Sequence, residues 1–340
     1  MASQKACLVT GGAGFIGRHL VEQLLADGYR VRVLDIQPGE DFADDIEFLQ
    51  GSIIDEDCVR RALDGIDILY HVAGDPNLWA PNRSHFAQIN FHGTEIVLRV
   101  AAQFNLEKII FTSTESILIG RKPDPGSVIN ETIERSSGDM PGPYCRSKFF
   151  AEQAAREAAQ DGQPVVIVNP TLPVGPGDYK ITPPTRMLLG FLNGCHPAYL
   201  ECLLNINDVR DIARGHILAA EKGRVGERYI LGNENIRLSA VLELLEEITG
   251  LEMPKRRVPY WMALGLACVD ELISNWVTRR APSAPVTGVR LASTEAVLDS
   301  SKAIKELGIP QRPVIESLRD GVTWLSDSGY ARRAMPKLSM

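Results

Sequence analysis

Tyr144 and Lys148 stand four positions apart in Pro143-Tyr144-Cys145-Arg146-Ser147-Lys148, just ahead of a run rich in Ala and Glu. On a helix that spacing sets a phenol and an ammonium on one face. A phenol titrates at about 10 and is a poor base at neutral pH, but a neighbouring cation favours phenolate, so such a pair can exchange a proton with a substrate oxygen. Tyr-x-x-x-Lys also arises by chance, as a surface tyrosine packed beside a lysine. Its weight here comes from Thr112-Ser113-Thr114, which closes the apolar run from Lys108 and brings hydroxyls to the end of a strand. In α/β sheets ligands bind at that carboxyl edge, where Thr114 could hold a reacting oxygen.

A second constellation opens the chain. Thr10-Gly11-Gly12-Ala13-Gly14-Phe15-Ile16-Gly17 joins an apolar strand to a helix, with its motif glycines at 11, 14 and 17. Glycine permits a tight turn and close backbone approach, and the helix N-terminus offers unpaired N–H groups to a pyrophosphate. Turns also use glycine, so the loop alone decides little. Eighteen residues beyond Gly17 the second strand ends in Asp35, whose carboxylate can accept hydrogen bonds from ribose hydroxyls. Loop and acid together predict a dinucleotide site built on Gly11, Gly14, Phe15, Ile16, Gly17 and Asp35. The same carboxylate would repel a 2′-phosphate, which favours NAD(H) over NADP(H), with Arg18 and Arg32 as the counter-evidence. Ser52 and Ile53 follow the third strand at the adenine edge, and Val72, Ala73 and Gly74 end the fourth, where small residues let the dinucleotide lie close. His71 reads as packed in the sheet, without a catalytic role.

Strand and helix alternate around these residues. Strands are predicted at Ala6 to Thr10, Arg30 to Asp35, Ile46 to Leu49, Asp67 to Val72, Lys108 to Thr112 and Pro164 to Val168. Between them lie helices at Phe15 to Ala26, about Glu56 to Leu63, about Arg83 to Phe104, and the one carrying Tyr144. That order predicts an α/β fold: a Rossmann doubly wound parallel sheet with helices on both faces and a smaller C-terminal substrate lobe. Residues 1–170 are assigned to the dinucleotide-binding domain, 171–330 mainly to the substrate lobe, and 331–340 to a tail. The helix near Asp208 and the strand near Tyr229 are segments that could return to the main sheet.

The bulk composition narrows the partners. A net charge of −7 offers no basic stripe for nucleic acid. The six cysteines are scattered without a CxxC pair or ligand cluster, so no metal site is expected and the thiols suit a reduced, cytoplasmic setting. The N-terminus runs straight into a strand, leaving no room for a signal peptide. Val258 to Val277 holds a ten-residue apolar run from Tyr260 to Val269, too short to span a bilayer. It reads first as a buried helix of the second lobe, with a substrate lid or a membrane-surface contact as the alternatives.

With these pieces in order, the chain resembles the extended short-chain dehydrogenases over nearly its whole length. The matching runs are Thr10 to Gly17, His71 to Gly74, Ile89 to Thr94, Phe111 to Thr114, Tyr144 to Lys148, and Asn169-Pro170 running to Gly175-Pro176-Gly177-Asp178. Within that family it is most similar to the dihydroflavonol-reductase-like proteins and the hopanoid-associated sugar epimerase group. Leu78-Trp79-Ala80-Pro81, Phe191 to Gly194, Gly215-His216 and Gly226 to Gly232 carry that likeness. The resemblance implies a catalytic set of Thr114, Tyr144 and Lys148, with Thr114 as the hydroxyl beside Tyr144. It adds Asn90, Thr112, Tyr144, Lys148 and Pro170 to the cofactor-binding residues, Asn90 lying on a helix whose backbone helps arrange the site. It also implies a homodimer through two helices of the Rossmann lobe. Asp35 replaces a basic residue common among the reductases, which supports NAD(H). Asn169 stands where related sugar-nucleotide enzymes often carry arginine, and Ser52 where an acid is frequent.

Three functions fit. An NAD(H)-dependent oxidoreductase would act on a carbonyl or secondary alcohol; an epimerase, whose substrate would be a sugar, would keep its cofactor bound throughout turnover; a non-catalytic dinucleotide-binding protein would not need both Tyr144 and Lys148. The oxidoreductase is the reading preferred here. Related dehydratases carry an acidic pair after the catalytic threonine, whereas here Glu115 is followed by Ser116, so Glu115 reads as a loop residue behind the site. Trp79, Leu172, Lys180, Met187 and Tyr199 lie in loops predicted to cover the nicotinamide, an apolar lining suited to a lipid-like substrate, although they equally fit packing within the second lobe.

Overall fold

The computed structural model describes residues 4–37, 42, 46–121 and 126–338. Its strands, in chain order, are β1 (Ala6–Thr10), β2 (Arg30–Asp35), β3 (Glu47–Gln50), β4 (Ile68–His71), β5 (Lys108–Thr112), β6 (Val128–Ile129), β7 (Val165–Pro170), β8 (Leu172–Val174), β9 (Leu203–Asp208), β10 (Arg228–Leu231), β11 (Glu234–Arg237) and β12 (Val297–Leu298). Seven of them form one parallel sheet in the order β10-β7-β5-β4-β1-β2-β3. The order reverses beside β1, which opens a crevice at the carboxyl edge. The expected doubly wound sheet is therefore present, with the third strand starting one residue later than predicted.

Alternation along the strands explains why both faces are covered. Cys7 and Val9 point into a cluster with Leu20, Val21 and Leu24 of helix Phe15–Ala26 and Ile212, Ala213 and Ile217 of helix Val209–Lys222. Ala6 and Leu8 point the opposite way, against Val59 and Ala62 of helix Glu56–Leu63 and Ala151, Ala155 and Ala158 of helix Pro143–Gln160. Strands buried on both faces need this continuous apolar character.

The predicted helix from about Arg83 to Phe104 is interrupted. A short α segment, Ser84–Phe86, passes into a π-helical turn, Ala87–His92, before regular helix resumes over Gly93–Ala101. Asn90 sits in that turn with its side chain tied outside the helix, to Asp75 and to Ser147. A π turn inserts one extra residue and re-aims the side chains it carries, a feature that period-3.6 reading does not register.

β6 and β12 pair with each other in parallel, while β8, β9 and β11 build a smaller sheet, β9 lying parallel to β8 and antiparallel to β11. Helices Pro183–Leu192, Leu238–Thr249 and Val314–Asp327 supply its apolar core. Helix Tyr260–Ile273 differs from the expected buried helix: of its side chains only Ala267 is buried. Nearly every side of this helix is apolar, and such a pattern cannot say which face, if any, is covered.

Where β7, β10 and helix Pro143–Gln160 meet, three polar side chains are shut away from water. Glu152 and Asn169 are buried and Arg228 is only 9 % exposed. Arg228 Nη1 lies 3.3 Å from Glu152 Oε1, and Asn169 Nδ2 donates to Glu152 Oε2 at 2.8 Å. Glu152→Ala should destabilise the protein by about 2 kcal/mol, because it leaves an amide donor without its acceptor and the Arg228 cation with only Glu134 and the Ile133 carbonyl. Glu152→Gln, which keeps an acceptor, should cost roughly half as much. Denaturant midpoints with unchanged slopes would measure both, and an Ala variant as stable as the parent would refute the account.

Candidate active site

The glycine loop closes directly onto the sheet. Gly11 adopts φ +73°, and a Cβ there would fall 2.7 Å from the Ala73 Cα. A Cβ on Gly17 would lie 2.2 Å from the Gly11 carbonyl oxygen, so only glycine lets the loop and the first helical turn meet. That helix starts at Phe15 after Gly14, with no side chain capping it, which leaves its first N–H groups directed at the loop mouth. At the end of β2, Asp35 is 6 % exposed and its Oδ2 accepts from Ala13 N at 3.1 Å. Open N–H groups, a loop that no side chain can fill, and a carboxylate one strand away fit a dinucleotide.

Several other predicted residues gather at this edge. Gly51 N donates to the Asp35 carbonyl at 2.9 Å, the Ser52 hydroxyl accepts from Ile54 N at 3.4 Å, and Ile53 packs under Gly93. Val72 and Ala73 are bound through their N–H groups to Thr10, and Gly74 faces the Asn90 side chain. His71 is wholly enclosed: its Nδ1 is 2.8 Å from Thr10 Oγ1 and its Nε2 3.0 Å from Thr94 Oγ1, whose proton goes to the Asn90 carbonyl at 2.7 Å. Because that threonine proton is used, Nε2 must be the donor and Nδ1 the acceptor. Burial, assisted by the charge on Lys148, lowers His71 to about 3, so the ring is a neutral brace.

Thr114, Tyr144 and Lys148 come together at the ends of β5 and β7. Lys148 Nζ donates to the Thr112 carbonyl at 2.6 Å and sits 4.9 Å from the Phe111 ring centre. Burial lowers its pKa to about 8, opposed by Glu152 one turn further along the helix. The Tyr144 ring meets Phe86 edge to face at 6.4 Å. Its phenol is held above the ordinary range, by burial first and by the Glu115 carboxyl second, while a hydrogen bond with Thr114 acts the other way. Burial therefore overrides the expected drop toward phenolate. Thr112 bonds His216 Nε2 at 2.9 Å, and the Pro170 carbonyl accepts from Glu115 N at 3.3 Å.

Glu115 supports the site from directly behind Thr114. Thr114 Oγ1 is 2.8 Å from Glu115 Oε2 and 3.0 Å from Ser116 Oγ. Burial raises this carboxyl to about 7, against hydrogen bonds that lower it. Nothing in the sequence distinguishes a buried from an exposed glutamate at that position. Asn169, which opens a run matching the family and departs from an arginine frequent in sugar-nucleotide enzymes, also reaches the Thr114 carbonyl through its Nδ2 at 3.1 Å, so it joins Thr114 to Glu152.

The five predicted substrate-facing residues scatter. Lys180 Nζ lies 3.9 Å from Asp35 Oδ1, on the ribose side of the crevice instead of over the nicotinamide. Leu172, Met187 and Tyr199 pack into the second lobe's apolar core, Tyr199 accepting from Arg257 Nε at 3.0 Å. Trp79 Nε1 donates to Asn275 Oδ1 at 2.9 Å. Of the two arginines weighed as phosphate partners, Arg32 is engaged by Glu47 and the carbonyls of Ala62 and Asp64. Arg18 stacks on Tyr179 at 4.6 Å and Phe42 at 5.3 Å.

Known proteins share both sequence and shape with this chain. Residues 7–232 match the model of the NAD dependent epimerase/dehydratase family. The chain is 40% identical over 331 residues to a Synechocystis protein named "Putative dihydroflavonol 4-reductase", covering 95% of each. It is 30% identical to Sterol demethylase protein B of Methylococcus capsulatus, covering 95% of this chain and 98% of that one. The crystal structure of gox2253 superposes with a TM-score of 0.83 at 34% identity, over 97% of this chain and 100% of that one. The chain belongs to the NAD dependent epimerase/dehydratase family of extended short-chain dehydrogenases, and it is an oxidoreductase or epimerase of that family.

Proposed function

We propose that this protein is an NAD(H)-dependent oxidoreductase that interconverts an apolar ketone and the corresponding secondary alcohol. The observation that carries the reading is the hydrogen-bonded group Tyr144–Thr114–Glu115 beside Lys148 at the carboxyl edge of the sheet. When bound, the nicotinamide supplies hydride exchange at the substrate carbon. Tyr144, protonated through neutral pH by its burial, hands a proton to the substrate oxygen or takes one back. Thr114 holds that oxygen, and the Lys148 ammonium stabilises negative charge on the phenol as the proton leaves. Glu115, titrating near neutrality beside Thr114, can pass a proton along the two hydroxyls. An apolar, sterol-like substrate class is supported by the likeness to Sterol demethylase protein B.

Turnover of NADH with a panel of steroid and long-chain ketones tests this directly. Tyr144→Phe should lower kcat by about a thousandfold while leaving NADH binding intact, because only proton transfer is removed. Full activity in that variant would sink the assignment. Purified protein holding NAD that fails to exchange with added NADH would instead move the reading to an epimerase.

Cofactor preference follows from Asp35. Its carboxylate suits ribose hydroxyls and repels a 2′-phosphate, and Lys180 at 3.9 Å is neutralised by it. Asp35→Ala should shift the NADH-to-NADPH affinity ratio by about a hundredfold toward NADPH, since it removes the repulsion and releases Lys180. Fluorescence titration with both cofactors reads that ratio, and an unchanged value would show that another group reads the ribose.

Glu115 links the site to stability. Its folded pKa of about 7 exceeds that of an unfolded glutamate, 4.5, so the folded state binds more protons between those values. This contribution is fully present below pH 4.5 and is lost as pH rises through about 7. Glu115→Gln should therefore gain about 3 kcal/mol relative to the parent between pH 4.5 and pH 8. Parallel stability curves for the two proteins across that window would contradict the burial argument.

A further inference from the structure

Helix Tyr260–Ile273 and the π-helical turn Ser274–Thr278 that extends it present an apolar face to solvent. Trp261, Leu266, Val269, Leu272, Trp276 and Val277 are each more than half exposed. Within the two elements only Ala267 and Ser274 are buried. Helical spacing puts Trp261, Val269, Leu272 and Trp276 on one side, with Leu266, Ile273 and Val277 adjoining them. The segment's two carboxylates turn toward the protein. Asp270 accepts from Ser283 N at 2.7 Å; Glu271 accepts from Val286 N at 3.0 Å and from Arg83 at 3.1 Å.

A continuous apolar face of this kind marks an interaction site, and the charges around it say of which kind. Lys255, Arg256 and Arg257 precede the helix and Arg279 and Arg280 follow it, all five exposed, in a chain whose net charge is −7. Lys255 pairs with Glu246 and Arg257 with Glu201, whereas Arg256, Arg279 and Arg280 have no carboxylate partner among the described residues. Tryptophans near both ends of an apolar face, with arginines beyond them, match the boundary between acyl chains and anionic headgroups. A second copy of the same face would set these cations against their own kind, since a two-fold interface pairs identical patches. Among the described residues no helix is long and apolar enough to cross a membrane, so the element would lie along the surface.

We propose that the Tyr260 to Thr278 segment docks this protein on the surface of anionic lipid bilayers. Two side-chain contacts carry the docking inward: Trp79 to Asn275 at 2.9 Å and Arg83 to Glu271. Both come from the stretch that follows β4 past Gly74, so the loop leaving the cofactor edge of the sheet lies directly behind the docking face.

Flotation of the full chain with phosphatidylcholine vesicles, with and without phosphatidylglycerol, tests the proposal. The parent should float with the anionic vesicles, and its tryptophan emission should shift to the blue and be quenched by brominated acyl chains. Trp261→Glu/Trp276→Glu should lower the partition coefficient by about a hundredfold. Arg279→Gln/Arg280→Gln should lower it by about tenfold. Both variants should keep the parent's melting temperature and NADH affinity. Absence of flotation at any composition would overturn the proposal, as would flotation indifferent to both variants. A non-floating parent dimer that the tryptophan variant dissociates would assign the face to self-association instead. None of these readouts uses turnover, so their failure leaves the oxidoreductase reading standing.

Discussion

One buried amide ties the loop that carries Thr114 to the helix that carries Tyr144 and Lys148. Asn169 has two N–H bonds to give, and it spends one on the Thr114 carbonyl at 3.1 Å and the other on Glu152 at 2.8 Å. Neither acceptor can drift without leaving a donor unsatisfied in the interior, at a cost of about 1–3 kcal/mol. Lys148 precedes Glu152 by one helical turn, and its Nζ is anchored on the Thr112 carbonyl at 2.6 Å. Strand end and helix are thus stitched at two points, with Thr114 and Tyr144 close to the seam. Had Asn169 been an arginine, its bulk and charge would have had to compete with Arg228 for the same carboxylate.

Around that seam the sheet edge is electrically quiet. His71 and His216 are both driven low by burial, to about 3 and about 4, and each is locked between a threonine hydroxyl and a second hydrogen-bond partner. Neither carries charge at neutral pH. That leaves Lys148 at about 8 and Glu115 at about 7 as the buried groups of this edge that titrate close to neutrality. Both lie close to Tyr144, Glu115 raising the pKa of its phenol, and a medium of low effective dielectric strengthens such effects. They act on it in opposite senses, the ammonium favouring phenolate and the ionised carboxyl opposing it. Under the proposed function, proton transfer at Tyr144 would respond to which of the two is charged.

Much of this was legible in the residues. The glycine loop, Asp35, the Thr-Ser-Thr strand end and the Tyr/Lys spacing follow local rules, because each depends on neighbours within a few positions in the chain. Strand positions were also readable, since buried parallel strands leave unbroken apolar runs. What escaped depended on contacts distant in sequence. Lys180 meets Asp35 across 145 residues only because the second lobe folds over the crevice. Glu115 is an ordinary glutamate until burial raises its pKa, and the π turn at Asn90 answers to tertiary hydrogen bonds that helix periodicity does not encode.

The segment after Tyr260 was misjudged for a related reason. A helix apolar on nearly every side matches a core element as well as it matches a surface that water is meant to leave, and composition cannot separate the two. Burial decides, and within the two elements only Ala267 and Ser274 are buried. The proposed docking bears on the proposed substrate, because a protein seated on a bilayer would meet apolar molecules at their membrane concentration. For a ligand that partitions into lipid, confinement of enzyme and substrate to one surface raises the effective concentration in the way that linking two binding partners does. The contact of Trp79 with Asn275 gives that confinement a route inward, from the exposed face to the loop that leaves the cofactor edge. Under the two proposals, an apolar substrate and an apolar docking face would be two consequences of one physical requirement, that the ligand need not cross water to reach Tyr144.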